Sequence, residues 1–135
     1  DLTDYFALED MLDGIDVVIH CAAMVSFDPR DKRALLQVNT EGTKYMIDAA
    51  LHQKVRRFIH LSSVAALGRH KDGEPTTEAS KWENGPLVSQ YSLSKFLAET
   101  EVWRGQAEGL SVAALYPTIV LGAGRWCEGW LKIIE

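Results

Sequence analysis

The sequence predicts an α/β fold in which helices cover a parallel β-sheet. Three short apolar runs, each followed by small or hydroxyl-bearing residues, alternate along the chain with segments of helical periodicity. This alternation is typical of parallel strands joined by right-handed helical crossovers. The 135 residues are enough for one domain of modest size.

The three apolar runs are predicted to be the strands. The first is IDVVIHCAA at residues 15–23, which is apolar at consecutive positions. The second runs from about Arg57 to Leu61, and the third reaches about Tyr116, where Pro117 stops it. Strands with apolar residues on both faces belong inside a parallel sheet.

Segments of helical periodicity precede each strand. They predict helices over residues 5–12, from about 32 to 53 and from about 88 to 108, and Gly109 is expected to cap the last one. Residues 69–89 are different, because they are mostly polar and contain glycine and proline. A loop of this length inside a compact domain is usually functional or mobile.

The composition excludes several classes of protein. A net charge of −5 gives no electrostatic reason to expect nucleic acid or an anionic membrane as a partner. No apolar run has the length of a membrane span, and the N-terminal residues do not resemble a signal peptide. Cys21 and Cys127 do not make a disulfide framework, and no cysteine or histidine spacing indicates a metal. We therefore expect a cytoplasmic protein.

The predicted strand ends carry residues suited to ligand binding. In an open parallel sheet, ligands bind beyond the carboxyl ends of the strands. Small residues that would let a ligand approach the main chain end the first strand, and hydroxyl-bearing residues end the others: Cys21, Ala22 and Ala23, then Ser62 and Ser63, then Tyr116, Pro117 and Thr118. We expect these residues to meet at one edge of the sheet.

A tyrosine and a lysine lie four residues apart in the third helical segment, QYSLSKFLAE. Tyr91 and Lys95 would therefore share one helix face, where the lysine could stabilise a phenolate. Hydride transfer at a carbon that bears oxygen requires proton exchange with that oxygen. A strand-end serine, a phenol and an ammonium group together suit this chemistry. Alternatively, the two residues are an ordinary core-edge tyrosine and a solvated lysine, and the serines hydrogen-bond the main chain at the strand end.

Other polar residues favour structural roles. His20 and His60 are predicted to be satisfied core histidines, and Cys21 a small packing residue rather than a nucleophile. Asn39 is unfavourable in the middle of a helix, so we expect a structural hydrogen bond from it to strand main chain. In the long loop, Trp82 and Glu78 are weaker candidates for a lid over substrate.

Six short segments together resemble one protein family. They are DLTD, VVIHCAA, VNTEGT, FIHLSSVAALG, YSLSK and YPTIVLGAG, and their order and spacing span essentially the whole chain. In this respect the sequence resembles the extended short-chain dehydrogenases/reductases, the NAD-dependent epimerase/dehydratase group. The resemblance implies a three-layer αβα Rossmann-like fold that binds NAD or NADP.

The resemblance also implies residue roles. Ser63 would be the catalytic hydroxyl, Tyr91 the general acid/base, and Lys95 the ligand of the cofactor ribose, while Asp1 and Leu2 would contact adenine. Further cofactor-binding residues are expected at the strand ends and on the helix: Cys21, Ala22, Ala23, Ser62, Tyr91, Lys95, Pro117 and Thr118. Asn39 would support the strand before it.

Two parts of the family pattern do not occur in the sequence. These are the Gly-x-x-Gly-x-x-Gly turn, which holds the pyrophosphate at a helix N-terminus, and the C-terminal substrate-binding portion. We therefore expect residues 1–135 to be an internal, partial NAD(P)-binding domain that carries the catalytic residues. In that case the first strand of this chain would have an exposed apolar edge.

The implied function is hydride transfer between NAD(P) and a hydroxyl or carbonyl carbon. A nucleotide-sugar epimerase or dehydratase that uses bound NAD is the alternative within enzymes, and a non-catalytic dinucleotide-binding regulator is the alternative outside them. The stretches AAMVSF and SSVAALG resemble the hydroxysteroid dehydrogenase and dihydroflavonol reductase branch. Sugar nucleotides and steroid-like or flavonoid-like alcohols or ketones are thus the expected substrates. The family resemblance also implies a homodimer that pairs through the second and third helical segments.

Overall fold

Helices and strands alternate in the predicted order. The computed structural model of the chain describes residues 1–68, 75–85 and 88–120. The regular elements are α1 (Tyr5–Met11), β1 (Val17–His20), α2 (Lys32–Leu35), α3 (Gly42–His52), β2 (Arg57–Leu61), α4 (Gln90–Ala107) and β3 (Val112–Leu115). Short 3-10 turns lie at Pro29–Asp31 and Val64–Ala66, and a π-helical segment lies at Leu36–Glu41. Cys127 and the end of YPTIVLGAG are outside the described residues.

The three strands form a parallel sheet in the order β1-β2-β3. Ile19 pairs with Ile59, which in turn pairs with Ala113, so the strands end almost level with one another. The predicted parallel sheet is confirmed. Its register brings the three strand ends to one edge, where ligands bind in folds of this class.

The prediction of a single helix over residues 32–53 was wrong in detail. The segment is divided by the π-helical turn Leu36–Glu41 between α2 and α3. Asn39 lies within that turn and is buried, with its side-chain amide hydrogen-bonded on both atoms. A π turn is rare and occurs mostly as a single-turn bulge inside an α-helix, and here the bulge contains the hydrogen-bonded Asn39. Helical periodicity alone does not reveal such a turn.

Helix α4 has clear signals at both ends and packs closely on α3. The Ser89 hydroxyl accepts a hydrogen bond from the Ser92 N–H, and Gly109 ends the helix with φ +106°. At Gly105, an added Cβ would lie 2.7 Å from Cγ2 of Ile47 on α3. This close contact fixes the position of α4, and with it the positions of the residues that α4 carries to the strand ends.

The helices lie against one face of the sheet. The core contains apolar residues from α1, α3, α4 and the inward face of the strands: Leu8, Leu12, Val18, Met46, Ile47, Ala49, Ala50, Val55, Phe58, Val102 and Leu110. On the other face, Ile19 is 66% exposed and Leu115 is 53% exposed. The described residues therefore supply the sheet and one helical layer of the predicted fold. Among them, no helix is both long and apolar enough to cross a bilayer.

Candidate active site

The edge at the strand carboxyl ends gathers the predicted site residues. Cys21, Ala22 and Ala23 follow β1 and are all exposed, so their main chain is accessible to a ligand. This exposure also shows that the prediction of Cys21 as a packing residue was wrong. Ser62 and Ser63 follow β2.

Asn39 fastens the chain that follows β1. Its Oδ1 accepts a hydrogen bond from the N–H of Met24 at 2.7 Å, and its Nδ2 donates to the carbonyl of Met24 at 2.9 Å. Nδ2 also donates to Oγ of Ser94 on α4 at 2.9 Å. One buried amide thus connects residues 21–27, the β1 extension that follows the strand, to the helix that carries Tyr91 and Lys95.

Tyr91 lies in the first turn of α4 and is half-buried. Its ring meets the edge of Phe27, from the β1 extension, with 5.8 Å between ring centroids. Its carbonyl accepts a hydrogen bond from Oγ of Ser94 at 2.8 Å. The phenol therefore lies between the chain that follows β1 and the start of α4.

Lys95 is buried, with 3% of its surface exposed. Its Nζ donates a hydrogen bond to the carbonyl of Leu61, the last residue of β2, at 2.9 Å. Burial lowers the pKa of Lys95, while the negative charge of Glu99 acts in the opposite direction. A solvated helix lysine, the ordinary alternative, does not fit this burial.

The two serines at the end of β2 point to different partners. Ser62 is buried, and its Oγ donates to Oε2 of Glu99 at 2.8 Å. Ser63 is half-buried, and its Oγ accepts from the N–H of Ala65 at 3.2 Å, which caps the 3-10 turn at Val64–Ala66. The proton of the Ser63 hydroxyl is not used in that bond.

Glu99 is a site residue that our sequence reasoning missed. Besides Ser62, it accepts hydrogen bonds at Oε1 from the hydroxyl of Tyr116 at 2.7 Å and from Nε1 of Trp103 at 3.0 Å. The available signal was its spacing, because Glu99 lies four residues after Lys95 on the same helix face.

His20 and His60 stack on each other beneath the strand ends, with 5.4 Å between ring centroids. Nε2 of His20 lies 3.0 Å from Oγ1 of Thr43, as expected of a satisfied core histidine. The same prediction was wrong for His60, since neither of its ring nitrogens has a partner among the described residues. Burial, reinforced by the positive charge of Lys95, lowers the pKa of His20 to about 4 and that of His60 to about 3.

The predicted adenine and nicotinamide contacts lie at opposite ends of the described chain. Asp1 is exposed and accepts two hydrogen bonds from Thr3, while Leu2 packs so close to Gly42 that an added Cβ there would lie 2.7 Å from Cβ of Leu2. Pro117 accepts a hydrogen bond from the Val64 N–H at 3.3 Å. Thr118 follows it and is exposed.

The described part of the long loop is attached to α4. Trp82 stacks on Phe96 with 4.3 Å between ring centroids and an angle of 10° between the ring planes. Gly68 has φ +78°, and a Cβ there would lie 3.2 Å from the Lys81 carbonyl. These contacts hold the loop beside the helix that carries Tyr91 and Lys95, whereas Glu78 is exposed.

Comparison with known proteins identifies the family. The profile of the NAD dependent epimerase/dehydratase family matches residues 1–129. The chain belongs to this family. The predicted relationship and the predicted Rossmann-like fold are thereby confirmed, because family members and solved short-chain dehydrogenase/reductase structures align with the chain.

Three relatives show the range of the family. Cinnamoyl-CoA reductase 2 of Arabidopsis thaliana is 33% identical over 129 residues, which cover 90% of this chain and 38% of the reductase. A short-chain dehydrogenase/reductase superfamily protein from Agrobacterium tumefaciens, solved with bound NAD, superposes with a TM-score of 0.76 at 33% identity, covering 86% of this chain and 35% of its own. The dTDP-glucose 4,6-dehydratase DesIV of Streptomyces venezuelae, solved with NAD, gives a TM-score of 0.73 at 27% identity, with 84% of this chain and 35% of DesIV covered. The chain thus spans little more than a third of each relative.

Proposed function

We propose that this chain carries the catalytic residues of an NAD(P)-dependent oxidoreductase that transfers a hydride at a hydroxyl or carbonyl carbon. The observation that carries the proposal is the burial of Lys95, one helical turn after Tyr91 and bonded to the end of β2. A lysine is almost never fully buried unless it is paired, because removing its charge from water is costly. Here it lies at the sheet edge where ligands of α/β folds bind.

The residues present fit a nicotinamide dinucleotide. The Lys95 ammonium has three donors and gives one to a neutral carbonyl, so it can also donate to ribose hydroxyls. Cys21, Ala22 and Ala23 expose main chain with small side chains, along which a planar group can lie. Asp1 and Leu2 would contact adenine, and Ser62, Tyr91, Pro117 and Thr118 would complete the predicted contacts. When bound, the dinucleotide supplies or accepts the hydride.

Three side chains would divide the remaining chemistry. Tyr91 would exchange a proton with the substrate oxygen, as general acid in reduction and as general base in oxidation. Ser63 would donate a hydrogen bond from its hydroxyl to that oxygen as negative charge develops there, and it would keep its proton. Lys95 would hold the ribose and stabilise the phenolate form of Tyr91.

The similarity to cinnamoyl-CoA reductase supports a carbonyl reductase that acts on a small aromatic, steroid-like or flavonoid-like compound. The similarity to DesIV supports the second candidate, a sugar-nucleotide dehydratase or epimerase that returns the hydride to its substrate. The presence of Ser63, Tyr91 and Lys95 together argues against a regulator without catalysis, which would not need all three.

The full-length protein distinguishes these candidates. It should be incubated with NADH or NADPH and, in turn, with aromatic acyl-CoA thioesters, ketosteroids and flavonoid ketones, and separately with NAD and nucleotide-linked sugars. A reductase consumes reduced cofactor in step with product. A dehydratase or epimerase forms product while the total reduced cofactor stays constant. Binding of dinucleotide without conversion of any of these classes would favour the regulator.

We also infer a cytoplasmic homodimer, on the basis of the family resemblance and the sequence composition. Apolar surface for the pairing would come from α4, where Trp103 is 40% exposed. Phe96 contributes less, since Trp82 stacks on it. Sedimentation of the full-length protein at tens of micromolar would test the association, and a monomer would contradict it.

A further inference from the structure

Glu99 connects α4 to two strand ends through a single buried carboxylate. It is 9% exposed and accepts three hydrogen bonds, from Ser62 Oγ at 2.8 Å, Tyr116 OH at 2.7 Å and Trp103 Nε1 at 3.0 Å. Ser62 is the first residue after β2, and Tyr116 is the first after β3. The carboxylate therefore holds the ends of both strands against the helix.

Lys95 and Glu99 lie on successive turns of α4, and both form hydrogen bonds with the end of β2. Lys95 donates to the carbonyl of Leu61, and Glu99 accepts from the next side chain, Ser62. The residue that follows is Ser63, the predicted catalytic hydroxyl. On the neighbouring strand, Tyr116 is followed directly by Pro117, a predicted cofactor contact.

We propose that Glu99 is a positioning residue of this site, which acts by compensating the buried charge of Lys95 and by fixing the strand ends that present Ser63 and Pro117. The inference rests on the proposed oxidoreductase function. It assigns Glu99 no direct contact with substrate or cofactor.

The charges around Lys95 support this role. Its hydrogen-bond partner is a neutral carbonyl, and the negative charge of Glu99 is the largest influence that keeps the lysine protonated against burial. A buried ammonium without such compensation would tend to lose its proton. The neutral amine would then lose its attraction for the phenolate of Tyr91.

The partners of Glu99 also point to a fixed arrangement. Burial, followed by the hydrogen bond to Glu99, raises the pKa of Tyr116 well above its usual range. The Tyr116 phenol therefore keeps its proton and remains a donor to the carboxylate. It is consequently a structural tyrosine, and Tyr91 remains the candidate for proton exchange.

A glutamine at this position separates charge from shape. The Gln Oε1 can still accept from Tyr116 and Trp103, and the Ser62 hydroxyl can rotate to accept from the Gln amide. The Glu99→Gln substitution therefore retains the hydrogen bonds and removes the charge. Trp103→Phe is the matched control, since it removes one neutral donor to the same carboxylate and leaves the charge.

The test is a titration of Lys95 in the full-length protein with 13C-labelled lysine, with the signal assigned by its absence in Lys95→Met. The titratable groups that face Lys95 are Glu99 on α4, His20 on β1, His60 on β2 and Cys21 after β1. The histidines stay neutral above pH 6, given their low pKa values. Adding Cys21→Ala to both the parent and Glu99→Gln removes the thiol from the comparison.

We expect Glu99→Gln to lower the titration midpoint of Lys95 by about one pH unit or more, because an opposite charge nearby typically contributes one to three units. The alkaline limb of the kcat–pH profile should move down with it, and dinucleotide affinity should fall severalfold on that limb. Trp103→Phe should change neither midpoint nor profile. Glu99→Asp keeps the charge, so its Lys95 midpoint should equal that of the parent. This comparison tests the inference even if Glu99→Gln folds poorly.

Two results would overturn the inference. One is a Lys95 midpoint in Glu99→Gln equal to that of the parent, or a midpoint in Glu99→Asp displaced as far as in Gln. The other is a kcat–pH profile that moves equally in Glu99→Gln and Trp103→Phe, which would indicate a purely structural role. The proposed function is judged separately by Tyr91→Phe and Lys95→Met, so its failure cannot be mistaken for either result.

Discussion

The imidazole rings of His20 and His60 stack in the sheet, 5.4 Å apart between centroids and with 29° between their planes. Both histidines are buried, and both have pKa values depressed chiefly by that burial. The unfolded chain takes up protons near pH 6.5. In the folded protein, burial lowers the pKa of His20 to about 4 and that of His60 to about 3, so the rings take up protons only at much lower pH.

The protein should therefore lose stability in acid. Each histidine contributes stability that is present above pH 6.5 and falls as the pH drops from about 6.5 toward the folded value, because only the unfolded state binds the proton in that window. The combined loss should be a few kcal/mol, at about 1.4 kcal/mol per pH unit for each group and less where the two are coupled. Urea unfolding at several pH values from 7 to 4 measures the free energy of unfolding at each pH. The differences between these values give the loss of stability.

His60→Leu isolates the contribution of one ring. It should unfold with a shallower pH dependence than the parent below pH 6.5, because an apolar side chain of similar size binds no proton. His52→Gln is the comparison variant at an exposed histidine, whose ring pairs with Glu9 at the surface rather than being buried. Equal pH slopes for the parent and His60→Leu would show that the buried ring does not resist protonation.

Tyr91→Phe should remove turnover in the full-length enzyme and leave dinucleotide affinity nearly unchanged. Proton exchange matters in the transition state and contributes little to ground-state binding. Lys95→Met should impair both, because the ammonium is proposed to serve the phenolate and the ribose. Ser63→Ala should have an effect of intermediate severity. By analogy with oxyanion-hole donors, it should lose roughly 2.7–4 kcal/mol of transition-state stabilisation.

Steady-state kinetics and cofactor titration test these three variants. Tyr45→Phe, at another half-buried helix tyrosine, is the control. If the Tyr91→Phe enzyme keeps more than about a tenth of the rate, the hydroxyl of Tyr91 lowers the activation barrier by less than roughly 1.4 kcal/mol. Tyr91 would then not be the acid–base residue.

Asn39→Ala should destabilise the fold by about 1–3 kcal/mol, because it leaves main-chain groups of Met24 and the Ser94 hydroxyl without their buried partner. Gln37→Ala, at an exposed position in the same π turn, should change stability by less than about 0.5 kcal/mol. Chemical denaturation compares the two. If they cost the same, the amide bonds of Asn39 do not support the turn.

Gly105→Ala should cost about 1–3 kcal/mol, since its Cβ would enter the space of Ile47 Cγ2 at 2.7 Å. Ile47→Ala destabilises alone but should relieve the clash, so the double variant should be less destabilised than the sum of the two single variants. Gly85→Ala, where a Cβ meets nothing within 4 Å, is the matched control. Strict additivity would contradict the close packing of α3 and α4.

The sequence predicted the parallel sheet and the order of helices and strands along the chain, because period, length and small residues at strand ends are local signals. The second strand was placed at its observed bounds, Arg57–Leu61. The π turn around Asn39 was not predicted, because the residues on both sides of it fall at helical spacing and the local pattern does not mark the point where the hydrogen-bonding changes.

Side-chain partners were harder to predict than elements. The unpartnered nitrogens of His60 and two of the three donors to Glu99, Ser62 and Tyr116, depend on contacts between residues far apart in the chain. Nothing in the local pattern distinguishes Ser62, turned toward Glu99, from Ser63, which caps the following turn. Such distinctions are made by tertiary packing.

The bare apolar face of the sheet bears on how the protein is prepared for these experiments. Ile19 and Leu115 are more than half exposed on that face, and β1 is an edge strand whose outer main-chain groups have no strand partner among the described residues. Residues 1–135 produced alone would expose an apolar surface and an edge strand to which other chains can add. Both features favour aggregation and inclusion bodies. Added charge or a solubilising fusion would disguise that tendency without covering the face. A longer natural reading frame is therefore the sounder starting material for crystals and for kinetics.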